Sequence, residues 1–150
     1  MVIKDYFFPL LAAWEEYAHR MPDYMRTLGF LGALITRKDT VFVKLSEDWI
    51  VFIGDGDNIT VMILGNPDPK AARKIFRRAL DATRSVRLTA FVPSACGDYF
   101  GYLREVGFKH EGRIRKSQVY DGEQRDALVL GFLANAKKGR KRKRRSRRGK

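Results

Sequence analysis

The densest group of chemically active side chains lies at the C-terminal end of the sequence. Eleven of the fourteen residues from 137 to 150 are Lys or Arg, and none is acidic. Such a segment cannot bury apolar surface and repels itself, so we predict a disordered tail that binds the phosphate backbone of nucleic acid by charge. It has no aromatic side chain for base stacking, which predicts low sequence selectivity. An acidic protein surface as partner, or a tail that only aids solubility, remains an alternative. The predicted nucleic-acid-binding residues are Lys137, Lys138, Arg140, Lys141, Arg142, Lys143, Arg144, Arg145, Arg147, Arg148 and Lys150.

Residues suited to catalysis are few elsewhere in the chain, and no catalytic residue is assigned from the sequence. His19 and His110 are far apart in sequence and have no evident partner, and Cys96 lies in no nucleophile motif. The carboxylates that precede and follow the predicted strands are turn formers by position. No spacing of His, Cys, Asp or Glu predicts a metal site. The carboxylates in question are Glu47, Asp48, Asp55 and Asp57.

The charge distribution divides the chain into two parts. The net charge is +13, but residues 1–136 hold 19 basic and 17 acidic side chains, so this part is nearly neutral. We therefore predict one domain at 1–136 and a separate basic tail at 137–150. A single cysteine fits a reducing compartment. We find no run of about 18 apolar residues and no signal-peptide cleavage site, so we expect a cytoplasmic protein without membrane contact.

Hydrophobic periodicity predicts an α+β fold for the domain. Helical spacing of apolar residues occurs at about 6–20, 69–83 and 98–106. Short connections predict that the strands before residue 65 form an antiparallel meander, and the strand–helix–strand order predicts a parallel pair between 59–64 and 86–92. Asp68 is a predicted N-cap, and Asp121-Gly122 is the predicted turn of a closing hairpin. The predicted strands are 31–36, 41–45, 49–54, 59–64, 86–92, 108–120 and 124–133.

Residues 99–132 resemble the C-terminal part of the GNAT superfamily of N-acetyltransferases, especially the branch that acetylates ribosomal proteins. In that branch a helix ends in Gly-Phe, a basic residue and Glu-Gly follow, and a long hairpin carries a late Asp. The resemblance implies a GNAT fold, with a mixed, mostly antiparallel central sheet flanked by helices, and acetyl-CoA as cofactor. The same residues also have purely structural interpretations: a helix C-cap, a core anchor and a strand bulge. They are Gly107, Phe108, Lys109, Glu111, Gly112, Arg113 and Asp126.

The cofactor loop departs from the family pattern. In the family, glycines let bare backbone N–H groups hold the pyrophosphate at a helix N-terminus. The corresponding segment here is 64–70, in which Pro67 and Pro69 have no N–H and Asp68 adds a carboxylate. If acetyl-CoA binds, point charges must compensate; the alternative is a solvated basic helix face. The predicted cofactor-binding residues are Lys70, Arg73 and Lys74.

Two further family positions are altered before the final Gly-Phe. An Asn often precedes the last helix, and Cys96 stands there. A Tyr often protonates the leaving thiolate, and Leu103 stands there, while Tyr102 is expected to point about 100° away around the helix. Small internal virion proteins of tailed phages resemble GNAT domains of comparable length with similar departures, and this sequence is similar to them in both respects.

Two functions are compatible with these residues. One is a GNAT scaffold without turnover, docked in a nucleoprotein particle such as a virion, with its tail on nucleic acid; the location would then be host cytoplasm and virion. The other is an active N-acetyltransferase that moves acetyl from acetyl-CoA to a protein or small-molecule amine. The altered loop and Leu103 favour the scaffold.

Overall fold

The computed structural model describes residues 6–54 and 57–134. Four α-helices, two 3₁₀ helices and six strands occupy these ranges. Helices come first: α1 (Phe7–Glu16), 3₁₀ helices at Ala18–Arg20 and Asp23–Arg26, and α2 (Leu28–Thr36). The remaining elements are β1 (Thr40–Leu45), β2 (Asp48–Ile53), β3 (Asn58–Leu64), α3 (Pro69–Thr83), β4 (Arg87–Pro93), α4 (Gly97–Val106), β5 (Lys109–Tyr120) and β6 (Glu123–Leu133).

The six strands form one mixed sheet in the order β1-β2-β3-β4-β6-β5. Every neighbouring pair is antiparallel except β3 and β4, which are parallel, so the predicted parallel pair is confirmed. The helix α3 connects these two strands, as a parallel crossover requires. The closing hairpin turns at Asp121 and Gly122, whose positive φ values of 50° and 80° suit the tight turn predicted there.

Alternate residues of the central strands enter two separate cores. In β2, Ile50 and Phe52 join α3 and α4 on one face, whereas Trp49 and Val51 join α1 and α2 on the other. This period of two is the reason that β2 and β3 read as continuous apolar runs: both faces are covered. The two cores hold the N-terminal helices on one side of the sheet and α3 with α4 on the other.

Phe108 anchors the closing hairpin, as the sequence predicts. It is 2% exposed, and its ring centroid lies 5.4 Å from that of Phe76 in α3 and 5.5 Å from that of Phe132 in β6. The preceding Gly107 has φ 126° and ends α4, as predicted. The predicted bulge at Glu111 is also present, because the β5–β6 register shifts between His110 and Gly112.

The prediction of a strand at 31–36 is wrong, because these residues belong to α2. A short apolar run is compatible with either a strand or a helix, and its flanking residues decide. Here Thr27 is the N-cap, whose hydroxyl accepts from the Phe30 N–H at 3.1 Å. Leu31 and Leu34, three residues apart, are the buried side chains of this helix. The meander therefore has three strands.

The predicted tail at 137–150, with its eleven basic side chains, lies outside the described residues. Within 6–54 and 57–134, no helix is long and apolar enough to cross a membrane. The same ranges contain no group of three or more His, Cys, Asp or Glu side chains placed to hold a metal ion.

Candidate functional site

A gap opens in the sheet where β3 and β4 separate. β3 pairs with β4 only from Asn58 to Thr60, opposite Arg87 to Thr89. It keeps its pairing with β2 as far as Leu64. The last four residues of β3 therefore turn an unpaired backbone edge toward the gap. Buried N–H and C=O groups need partners, so any ligand lying between the strands would have to bond to this edge.

Arg20 supplies hydrogen-bond donors to carbonyl oxygens at the end of this edge. It ends the 3₁₀ helix Ala18–Arg20 and is only 5% exposed. One terminal nitrogen, Nη1, donates to the carbonyl oxygens of Ile63 at 3.0 Å and Gly65 at 2.6 Å. The other, Nη2, donates to Oδ1 of Asn66 at 2.5 Å. Burying a charge is costly unless it is well bonded, and here backbone carbonyls and aromatic rings stabilise the guanidinium.

Two tyrosines of α4 fill the part of the gap beside Ile63, while Thr60, Val61 and Met62 of β3 line the cavity described below. The Tyr99 hydroxyl accepts from the Ile63 N–H at 3.0 Å, and the Tyr102 hydroxyl donates to the Pro67 carbonyl at 2.7 Å. The Arg20 Cζ lies 4.5 Å from the centroid of the Tyr99 ring. Burial raises the pKa of Tyr99 to about 12 and also raises the pKa of Tyr102, so both phenols are protonated at neutral pH. Both hydrogen-bonding groups of Ile63 are thus satisfied from within the protein.

The loop after β3 offers little backbone to an anion. Gly65 has φ 128°, and a Cβ at this position would overlap the Asp48 carboxylate. Pro69 begins α3 without an N–H. Two of the three N–H groups that follow are engaged: the Ala71 N–H bonds to Oδ2 of Asp68 at 3.1 Å, and the Ala72 N–H to the Asp68 carbonyl at 2.9 Å. Asp68 is thus the N-cap that the sequence predicts, and a phosphate here would meet its negative charge.

The three predicted cofactor-binding residues lie on the first two turns of α3. Lys70 and Lys74 are exposed. Arg73 instead reaches α4, where Nε donates to the Val106 carbonyl at 2.7 Å and Nη2 to the Glu105 carbonyl at 2.9 Å. This guanidinium therefore caps the negative end of α4. That these three residues bind acetyl-CoA stays a prediction.

A cavity of about 470 Å³ lies between the α2 side of the molecule and the β5–β6 hairpin. Its walls are largely apolar, and its charged lining residues are Arg20 and Arg37. None of the residues that line it is Asp, Glu or His. An amine must lose a proton before it attacks a thioester, and this lining offers no carboxylate or imidazole base. Side chains from both walls include Tyr24, Phe30, Phe91, Ile114 and Gln118.

The nucleophile and base candidates weighed from the sequence are not brought together. His19 uses its carbonyl to accept from the Tyr120 hydroxyl at 2.7 Å. The His110 ring lies 3.0 Å from the Gly112 carbonyl, at the start of β5. Cys96 is buried, and burial raises the pKa of its thiol, which keeps it protonated. None of the three lines the cavity.

The residues that fill the gap were not identified from the sequence. Arg20 stands at the end of the helix predicted at about 6–20, and its partners lie 43 to 46 residues further on. Tyr102 is considered there only beside the family position held by Leu103, and Tyr99 has no role assigned from the sequence. One signal was available: three residues apart on α4, the two tyrosines share a helix face, and that face looks toward the end of β3.

No family model matches the sequence, and no curated protein matches it. Solved structures do match. A probable acetyltransferase (GNAT family) from Chromobacterium violaceum ATCC 12472 aligns with a TM-score of 0.69 and 14% identity, covering 89% of this chain and 80% of that one. The ribosomal-protein-alanine N-acetyltransferase from Brucella melitensis aligns with a TM-score of 0.67 and 11% identity, over 86% and 94%. The Microcin C7 self immunity acetyltransferase MccE, in complex with acetyl-CoA and AMP, gives 0.64 and 13%, over 86% and 87%.

Coverage is lower in another alignment. This chain spans 57% of a GNAT-family acetyltransferase from Bacillus anthracis, at a TM-score of 0.50 and 17% identity. Identities this low show the fold alone. The predicted GNAT fold is confirmed, and so is the predicted likeness to the ribosomal-protein branch at the level of the fold. The relation to phage virion proteins stays a prediction.

Proposed function

We propose that this protein is a GNAT-fold binding protein that does not turn over acetyl-CoA. The observation that carries the proposal is the filled gap between β3 and β4. The resemblance to GNAT proteins also implies that the thioester of a bound acetyl-CoA would lie beside residues 59–64. There the N–H and C=O of Ile63 already bond to Tyr99 and Arg20. A ligand would have to displace a buried, fully protonated phenol and a buried guanidinium.

The site around this gap supports the same proposal. The N-terminus of α3 carries the Asp68 carboxylate where a pyrophosphate would lie. The adjoining cavity has two arginines and no carboxylate or histidine in its lining. Arg37 is paired with Asp39 at 2.6 Å, so Arg20 is the lining cation that would repel an incoming cationic amine. No carboxylate or imidazole in this lining would deprotonate the amine.

The proposed partner follows from the positive charge of the segment at 137–150. Eleven cations in fourteen residues favour a polyanion, and phosphate spacing along nucleic acid suits such a run. We therefore place the protein in a nucleoprotein particle, such as a virion, with nucleic acid bound through this segment. Deleting 137–150 should abolish most of the affinity for duplex DNA, whereas affinity unchanged by the deletion would contradict this part of the proposal.

The second candidate is an active N-acetyltransferase. It is favoured by the fold itself, which this chain shares with acetyltransferases that include one solved with acetyl-CoA. Activity would require Arg20 and Tyr99 to leave the gap. In that case Lys70 and Lys74 would hold the phosphates by charge.

Calorimetric titration of the full chain with acetyl-CoA decides between the two candidates. We expect binding no tighter than about millimolar, roughly −4 kcal/mol. A micromolar dissociation constant, or release of free thiol from acetyl-CoA in the presence of a peptide amine, would overturn the proposal. If binding is seen, Lys70→Ala and Lys74→Ala should weaken it, and Lys38→Ala, at an exposed position in the turn between α2 and β1, is the control.

A further inference from the structure

One helix carries the positive charge of the folded domain. α3 contains five basic residues and one acidic residue, a charge of +4. Residues 1–136 hold 19 basic and 17 acidic side chains, a net charge of +2. Without α3, the rest of this region is therefore net negative, at −2. A fold needs no such concentration of charge, since like charges on one helix repel each other.

The cations of α3 are presented to solvent as a continuous stripe. Lys70, Lys74, Arg77 and Arg78 are all exposed, and the buried residues of the helix lie on its other face. None of the four forms an ion pair with any residue in the described ranges. At a rise of 1.5 Å per residue, the stripe is about 12 Å long, which is several phosphate positions on a nucleic-acid strand.

A second basic feature adjoins this stripe. A cavity of about 560 Å³ lies beside α3 and is lined by Arg73, Arg77, Lys109 and His110. Its one acidic lining residue, Glu111, is paired with Arg87 at 2.6 Å, so its charge is neutralised. The cavity thus extends the positive surface from α3 to the start of β5.

The described part of the chain ends beside the same cavity. Leu133 and Ala134, the last described residues, line this cavity. From Ala134 the chain passes within three residues to Lys137, where the basic segment begins. The basic segment of the sequence therefore begins three residues after the last described residue that lines this cavity.

We infer that the stripe on α3, together with the cavity beside it, is a docking surface for the phosphate backbone of duplex nucleic acid. The inference rests on the proposed function and deepens it, because it assigns part of the binding to the folded domain. The cations lie in a line and do not converge, which suits an extended polyanion better than a single phosphate group. Lysine and arginine contacts to phosphate position a duplex without reading its bases.

The test compares two variants of the full chain with the same loss of charge. Lys74→Gln/Arg77→Gln removes one lysine and one arginine from the stripe. The control, Lys38→Gln/Arg115→Gln, removes one of each from exposed positions outside α3 and outside the cavity lining. Affinity for a 5′-fluorescein duplex of about 20 base pairs is measured by anisotropy over a series of salt concentrations.

The slope of log affinity against log salt is negative. We expect the stripe variant to reduce its magnitude by about 1.8, because each of the two lost phosphate contacts contributes about 0.9. The control should keep the slope of the parent. Equal slopes for the stripe variant and the control overturn the inference; if deletion of 137–150 still abolishes binding, the proposed function stands without it. A parent that does not bind duplex at all overturns both. Displacement of the duplex by micromolar acetyl-CoA identifies the stripe as a cofactor site and also overturns the inference.

Discussion

Replacing Tyr99 by Phe tests whether the gap between β3 and β4 is dry. The substitution removes one oxygen and keeps the ring, so packing and the stacking of Arg20 on that ring are retained. What is lost is the acceptor for the Ile63 N–H, at 3.0 Å. Leaving a buried donor unsatisfied costs about 1–3 kcal/mol, and we expect Tyr99→Phe to lower the free energy of unfolding by this amount. Equilibrium unfolding in urea at pH 7 measures it.

Tyr102→Phe is the matched control. Its hydroxyl donates to the Pro67 carbonyl in a partly buried position, where the loss of one hydrogen bond should cost about 1 kcal/mol or less. If Tyr99→Phe falls within about 0.5 kcal/mol of the parent, water must already serve the Ile63 N–H. The gap would then have room for a ligand, and the reasoning against acetyl-CoA binding would fail.

A pH series extends the same test. Burial raises the pKa of Tyr99 to about 12, above its ordinary value of 10.0. A raised pKa in the folded state means that the stability it contributes is present below pH 10 and is lost as the pH rises from there toward 12. The parent should therefore lose stability over this interval more steeply than Tyr99→Phe does. Parallel curves would contradict the burial of this phenol.

Three other changes test the fold around the site. Phe108→Ala should lower the free energy of unfolding by about 3–5 kcal/mol, and a melting temperature within a degree or two of the parent would contradict its packing between α3 and β6. Backbone N–H groups of Gly122 and Asp121 hold the pKa of Asp23 below 3.8; the protection factors of the hairpin-tip amides, which are corrected for the intrinsic exchange rate at each pH, should therefore fall as the pH drops below that value, and Asp23→Asn should remove this dependence. Gly65→Ala should destabilise the protein strongly in thermal denaturation, because φ is 128° and the methyl group would overlap a carboxylate; a soluble variant of parental stability would show that the loop differs from this description.

Local sequence patterns predicted most of the strands and helices because both faces of the sheet are covered. The runs at 49–54 and 59–64 are apolar at nearly every position, and their apolar side chains pack into one or the other of the two cores. Turn and cap residues placed the boundaries: Asp68 begins α3, Gly107 ends α4, and Asp121-Gly122 turns the hairpin. These are local effects, so a single sequence contains them.

The errors come from effects that depend on tertiary contact. The run at 31–36 is helical because the cap at Thr27 starts a helix and a core receives Leu31 and Leu34 on one side; the apolar run alone does not reveal that core. Arg20 is buried because carbonyls and rings from distant segments surround it. From the sequence, only the altered loop of the site could be predicted. The side chains that enter the gap do so because β3 and β4 separate after Thr60. No local sequence pattern indicates where that pairing stops.

The position of β6 has a consequence for how the protein is made in the cell. Of the six described strands, β6 leaves the ribosome last, yet it lies inside the sheet, paired with β4 along seven residues and with β5. Until it is synthesised, the growing polypeptide exposes the whole edge of β4 to other chains, and such open edges favour aggregation. A product of premature termination near residue 122 should therefore be insoluble and not a smaller folded domain. In the sequence, β6 is followed within a few residues by the segment that holds eleven cations. The segment with the strongest charge repulsion is therefore synthesised directly after the strand that covers the edge of β4, and such repulsion opposes aggregation.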